Sequence, residues 1–164
     1  MNRQSQSGVT LIELLIAISI FVLLFLAAAT LYATVLRQQV DDRLVQSLQR
    51  ESERVTGHLE QNVPGTTGVA GSSVCNSENV DQIALAAPDG PVAYQRNGGQ
   101  IEFSGGGATE NLVSPGVTAS NVRFFPTCDG TKLVSLRFQA TLTKSASGKT
   151  RTTDISTSIG TRPQ

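Results

Sequence analysis

Gly8-Val9-Thr10-Leu11-Ile12-Glu13, followed at once by LLIAISIFVLLFLAAATLYATVL over residues 14–36, is the stretch on which the fold turns. The run from Leu14 to Leu36 carries no charged residue in its 23 positions. At 1.5 Å of rise per residue it makes about 35 Å of helix, enough to cross a hydrocarbon core of about 30 Å with some tilt. A secretory signal peptide has a shorter apolar core, about 7–15 residues, behind a basic region and ahead of a small-residue cleavage site. Here the only charge in the leader is Arg3, and the run is too long. It reads as a membrane helix. One carboxylate, Glu13, stands at its front edge. A carboxylate at the bilayer centre costs roughly 2.5–3.5 kcal/mol on insertion scales, so Glu13 is expected to have a partner.

The helical pattern continues beyond Leu36. Val40, Leu44, Leu48, Val55 and Leu59 recur at spacings of three, four or seven and so share one stripe. Charges of both signs, from Arg37 to Glu60, fill the positions between them. Gly57 weakens such a helix by about 1 kcal/mol relative to Ala without ending it. Pro64-Gly65 ends it. The first half is apolar all round and the second is amphipathic, so the second half must pack on a folded head.

That head begins where the composition changes. All six prolines, and 13 of the 15 glycines, lie from Pro64 onward, between short apolar runs. This is the texture of a β-rich domain with many turns. Val92–Arg96 and Gln100–Ser104, joined by Asn97-Gly98-Gly99, form a hairpin. Val134, Leu136, Phe138, Ala140 and Leu142 alternate with mainly polar residues as the inner face of a half-buried strand. Ser145–Lys149 turns the chain, and Thr153, Ile155, Thr157 and Ile159 supply the returning face. Gln82–Ala87 and Val122–Phe125 are shorter strands, while 65–79 and Gly105-Gly106-Gly107 read as loops. The expected fold is α+β, with an antiparallel sheet whose apolar face covers the Val40–Leu59 stripe.

Bulk properties narrow the function. The formal net charge is zero, and basic and acidic residues are interleaved. Nothing in that distribution makes an electrostatic footprint for nucleic acid or anionic lipid, so direct nucleic-acid binding is not expected. Cys75 and Cys128 are too far apart in sequence for a redox or zinc motif. In a head outside the cytoplasm they read as a disulfide; the alternative is two buried free thiols. His58 is the only histidine and falls within the amphipathic helix, where a solvated or partly packed role outweighs that of a base. No nucleophile-elbow sequence is present, and Gly105-Gly106-Gly107 lacks the Lys-Ser/Thr of a phosphate loop. Asp81, Asp89 and Asp129 are scattered singly, so no metal and no other cofactor is expected.

Ser7-Gly8-Val9-Thr10-Leu11-Ile12-Glu13 before a charge-free helix resembles the class III signal of type IV pilins and the pseudopilins of type II secretion. The resemblance implies a pilin-like chain cut after Gly8 by a prepilin peptidase, with Val9 as the methylated N-terminus. It implies that Glu13 pairs with the N-terminal amine of a neighbouring subunit, and that Leu14, Leu15, Ile18, Val22 and Phe25 are helix-packing contacts. The domains would be residues 1–8, a cleaved leader; 9–36, the transmembrane and assembly helix; 37–63, its amphipathic continuation; and 64–164, the β-rich extracytoplasmic head. Two departures bear on the role. Val9 stands where Phe or Met is usual, and Thr30 stands where major pilins typically carry a mid-helix proline. The missing proline points to a minor subunit. Residues 116–124, the long alternating strand, and the ending Thr157–Arg162 resemble large minor pilins of the PilW and pseudopilin-J type.

The expected function is therefore that of a structural subunit with no reaction of its own, entering or initiating a type IV pilus or type II secretion pseudopilus. The implied partners are other pilin or pseudopilin subunits, the prepilin peptidase and an inner-membrane assembly platform. The chain would sit single-pass in the inner (cytoplasmic) membrane with its head outside the cytoplasm, then in a filament at the cell surface or in the periplasm. An alternative is an adhesin or DNA-uptake receptor module presented by the filament, with a ligand site in the loop between Pro64 and Val80. A standalone membrane-anchored enzyme is disfavoured by the lack of a catalytic constellation.

Overall fold

The computed structural model describes residues 10–70, 75–76 and 80–161. By its internal contacts the chain divides into two compact units, Met1–Asp41 and Asp42–Gln164.

One helix, α1 (Leu11–Asn62), contributes to both. It starts because Thr10 caps it: the Glu13 N–H donates to Thr10 Oγ1 at 3.3 Å and to the Thr10 carbonyl at 3.1 Å. A side-chain oxygen there satisfies one of the first-turn amides that lack an intrahelical acceptor. The helix passes through Gly57 and ends where Pro64 enters the 3-10 turn η1 (Val63–Gly65). The Thr66 N–H and hydroxyl both donate to the Val63 carbonyl, at 3.0 and 2.7 Å, and close that turn.

In the second unit the buried residues of α1 are Leu44, Leu48, Val55 and Leu59, the stripe read from the sequence. Val40 differs: it is only half-buried and falls in the first unit.

The head holds two antiparallel sheets rather than the single one expected. The first is a meander of β1 (Gly68–Val69), β2 (Gln82–Ala86), β3 (Val92–Asn97), β4 (Gln100–Gly105) and β5 (Ala108–Asn111). The second is a meander of β6 (Val117–Asp129), β7 (Lys132–Ala146) and β8 (Lys149–Gly160). The β3–β4 hairpin turns at Gly98-Gly99, both at positive φ, as two-residue turns of this hand require. Gly105-Gly106-Gly107 is a second such hairpin, not a loop, since Gly105 pairs with Ala108. Within the expected loop 65–79, Gly68 and Val69 pair with Ala86 and Leu85; residues 71–74 and 77–79 lie outside the described residues.

Both sheets and the helix share one core. Leu48, Val55, Leu59 and Val63 join Ile83, Leu85, Tyr94 and Ile101 of the first sheet and Phe124, Leu136, Phe138 and Leu142 of the second in a single cluster. Aromatic contacts run through it, with ring centroids 5.1 Å apart for Tyr94–Phe103, 6.2 Å for Tyr94–Phe124 and 5.2 Å for Phe124–Phe138. Side chains of this size remove most of their surface from water, worth about 1.5–3 kcal/mol each. The result is a long N-terminal helix packed on antiparallel sheet, the α+β arrangement of a pilin.

Val134 corrects the alternation read from the sequence. It is 48% exposed, while Leu133 is buried. Thr127 pairs with Ser135 and Cys128 with Leu133, so Val134 is the extra residue of a β-bulge. One extra residue changes which side chains face the core.

Candidate functional site

The candidate site is the N-terminal part of α1, where the sequence is least like that of a water-soluble fold. Among the described residues α1 is the one helix long and apolar enough to cross a membrane, and none of that apolar segment is buried within the protein. Leu14, Leu15, Ile18, Val22 and Phe25 are all exposed, Phe25 at 64%. At about 100° of turn per residue, these five fall within an arc about 100° wide, and Glu13 lies about 150° from its centre, on nearly the opposite side of the helix. A continuous apolar surface of this extent marks a protein or lipid contact.

The serine and threonine hydroxyls of the segment are satisfied locally. The Ser19 hydroxyl donates to the Leu15 carbonyl at 2.8 Å, Thr30 to Ala27 at 2.8 Å and Thr34 to Thr30 at 2.9 Å. A hydroxyl bonded to its own helix needs no water, which is the condition for residing in lipid. Thr30, the position without a proline, lies in uninterrupted helix. For the Glu13 carboxylate, by contrast, no hydrogen-bond partner is found among the described residues.

Gly8 and Val9, the expected cleavage and methylation positions, lie outside the described residues. Thr10 was missed in the sequence reading. Thr10-Leu11-Ile12-Glu13 has the Thr-x-x-Glu spacing of a capping box, a signal that would have placed the helix start there.

In the head, Cys75 and Cys128 form a disulfide with their Cα atoms 5.6 Å apart. His58 packs edge-on to Phe103, with centroids 4.5 Å apart, and Tyr94 Oη lies 3.3 Å from its Nδ1. Burial lowers the His58 pKa below its ordinary 6.5; Glu110 opposes that shift and Arg54 adds to it. Burial likewise pushes the Tyr94 hydroxyl above its ordinary range. The ring is thus a partly packed member of the helix–sheet contact. Among the described residues no three His, Cys, Asp or Glu side chains converge as metal ligands.

Residues 3–29 match the family described as the prokaryotic N-terminal methylation motif, which is characteristic of type IV pilin-like proteins. No curated protein and no solved structure matches the chain. The matched segment contains Gly8, Val9, Glu13 and most of the apolar run. With the α+β head, it gives the chain a pilin-like motif and fold, consistent with assembly into a filamentous structure.

Proposed function

We propose that this chain is a minor pilin or pseudopilin, made as a membrane-anchored precursor, cut after Gly8 and methylated at Val9. The observation that carries the reading is the methylation motif over residues 3–29, joined to an apolar helix with no buried face of its own. An unburied helix of this kind is stable in lipid, and then in a bundle of like helices that replaces lipid. In that bundle Glu13, which has no described partner, takes the N-terminal amine of a neighbouring subunit. The surrounding low dielectric makes that contact sensitive to register. Leu14, Leu15, Ile18, Val22 and Phe25 would form the packing arc. The head faces away from the cytoplasm, which the Cys75–Cys128 disulfide supports, because such bonds persist in oxidising compartments.

Minor status is supported by Thr30, where filament-body subunits typically carry proline, and by the uninterrupted helix there. Intact-mass analysis of the membrane-extracted protein tests the reading. A chain beginning at methylated Val9 is expected, and one beginning at Met1 in a peptidase-competent cell overturns it. Quantification in sheared filaments tests the finer point: the subunit should be far below the main filament protein in amount, and equal amounts would exclude a minor role.

A further inference from the structure

The outer face of the second sheet, turned away from the shared core, is broken by a bulge. β6 shifts register between Ser120 and Arg123, and Asn121 takes a φ of +50° there. A left-handed backbone is costly for most residues other than glycine, asparagine being among the few that adopt it, and a bulge re-aims the side chains beside it. Next to this one lies a shallow depression of about 300 Å³ with walls from all three strands. β6 supplies Asn121 and Arg123, β7 supplies Gln139 and Thr141, and β8 supplies Asp154 and Ser156. Register arranges them in rows. Arg123, Gln139 and Ser156 lie side by side in one row, with Thr141 and Asp154 in the next. Strands about 4.8 Å apart make such a row about 10 Å wide.

The two ends of the depression differ in chemistry. Arg123 is half-buried, and among the described residues no hydrogen bond or ion pair to its guanidinium is found. A planar fork of five donors is matched by a carboxylate, which it binds through two parallel hydrogen bonds. One row further along the same face the Arg137 guanidinium lies over the Phe125 ring, 4.5 Å from its centroid, and adds positive potential. On the β8 side Asp154 accepts the Thr141 hydroxyl at 2.7 Å. A carboxylate has about four acceptor positions, so this one suits further hydroxyl donors. The side-chain amides of Gln139 and Asn121 each add a donor and an acceptor between the two charges.

We propose that this depression binds an acidic sugar of the hexuronate class, free or within a polysaccharide. Its carboxylate sits on Arg123, its ring hydroxyls donate to Asp154, and Gln139 and Asn121 bind the hydroxyls between. The two charged ends together select this class, because a uronate carries a carboxylate and neighbouring hydroxyls on one ring. A neutral sugar uses Asp154 and leaves Arg123 unmatched. A DNA strand matches Arg123 but sets a second anion against Asp154 and has no run of hydroxyls to offer it.

The proposal does not depend on cleavage at Gly8 or on filament entry, so it can fail while that reading stands. Saturation-transfer NMR on the full chain in detergent tests it, with trigalacturonate as the probe. Saturable binding is expected below about 10 mM, and the carboxyl-reduced trimer should bind at least about tenfold more weakly. Arg123→Gln should weaken trimer binding by about tenfold or more. Asn121→Gly keeps the left-handed backbone accessible and removes only the amide, and should weaken binding about threefold. Asp154→Asn separates a sugar site from a plain anion site: it should weaken binding of the trimer, whereas a site for anions alone would bind more tightly. Circular dichroism confirms that each variant is folded. Galacturonate binding as tightly as the trimer assigns the site to the free sugar, and tighter binding of the trimer assigns it to a polysaccharide; both support the proposal. No saturable binding below about 10 mM, equal binding of the carboxyl-reduced trimer, unchanged binding in Arg123→Gln, tighter binding in Asp154→Asn, or preference for a deoxyoligonucleotide of equal charge overturns it.

Discussion

Replacing Cys75 and Cys128 together by serine should be the most costly surface change that can be made in the head. The two residues are 53 positions apart, and between them the chain contributes β2 to β5 and most of β6. In the chain-entropy treatment, closing a loop of that length removes about 14 cal/mol/K from the unfolded ensemble, or about 4 kcal/mol at 25 °C. For a head of this size about 1 kcal/mol corresponds to roughly 3–5 °C, so the melting temperature should fall by about 12–20 °C. Local contacts around the bridge are worth much less. Asn76 binds Cys128 by two side-chain hydrogen bonds, 2.9 Å to its N–H and 3.4 Å to its carbonyl, both exposed. Asn76→Ala should therefore cost about 1 kcal/mol. Thermal and urea unfolding of the full chain in detergent, followed by circular dichroism, measures all three proteins. The ranking is the signature of loop closure. If the double serine variant loses less than about 1 kcal/mol, or no more than Asn76→Ala, the bridge is not stabilising by constraining the unfolded chain and the reasoning fails.

Phe138 is fully buried at the centre of β7 against Phe124, so Phe138→Ala should cost about 3–5 kcal/mol in urea unfolding; a loss under 1 kcal/mol would contradict the shared core. His58 has its pKa lowered in the folded head, so the unfolded chain takes up a proton first as pH falls. Its contribution to stability is intact above about 6.5 and is lost below that, down to the lowered folded value. The wild-type urea midpoint should drop across this window, and His58→Gln should flatten the drop; equal slopes would remove His58 as the cause. Glu13→Ala should be processed normally yet be depleted from sheared filaments, and wild-type amounts there would refute an assembly role for Glu13.

The sequence made some elements plain and hid others, for reasons that lie in the residues. The Leu44–Leu59 stripe was legible because a helix keeps one period over many turns. The β3–β4 hairpin was legible because Asn97-Gly98-Gly99 has one conformational use between two alternating runs. β6 was seen only as Val122–Phe125 because its period breaks. Val117 and Ala119 face the core at odd positions, then Val122, Phe124 and Pro126 at even ones, with the register shift between Ser120 and Arg123. A bulge erases the alternation by which a strand is recognised. The same device misplaced Val134. β5, Ala108–Asn111, could not be seen at all, since it is exposed along its whole length and held by backbone pairing to β4. In the candidate site, the apolar run and Glu13 were read directly, while the Thr10 cap required noticing a spacing rather than a composition.

α1 shows how one helix can be written for two solvents. Between Leu14 and Leu36 every face is apolar, and the hydroxyls of Ser19, Thr30 and Thr34 are returned to the helix's own carbonyls. Beyond Leu36 apolar residues contract to the single stripe of Leu44, Leu48, Val55 and Leu59, and charges take the rest. Lipid rewards an all-round apolar surface, whereas water against a sheet rewards only a stripe. The switch from one pattern to the other therefore marks where the surroundings change. Glu13 is the one residue that breaks its own pattern, a carboxylate before 23 uncharged positions with no described partner. A charge in that place is costly in lipid alone and tolerable only beside a cation. None of the described residues provides one, and in the proposed assembly the N-terminal amine of a neighbouring subunit would.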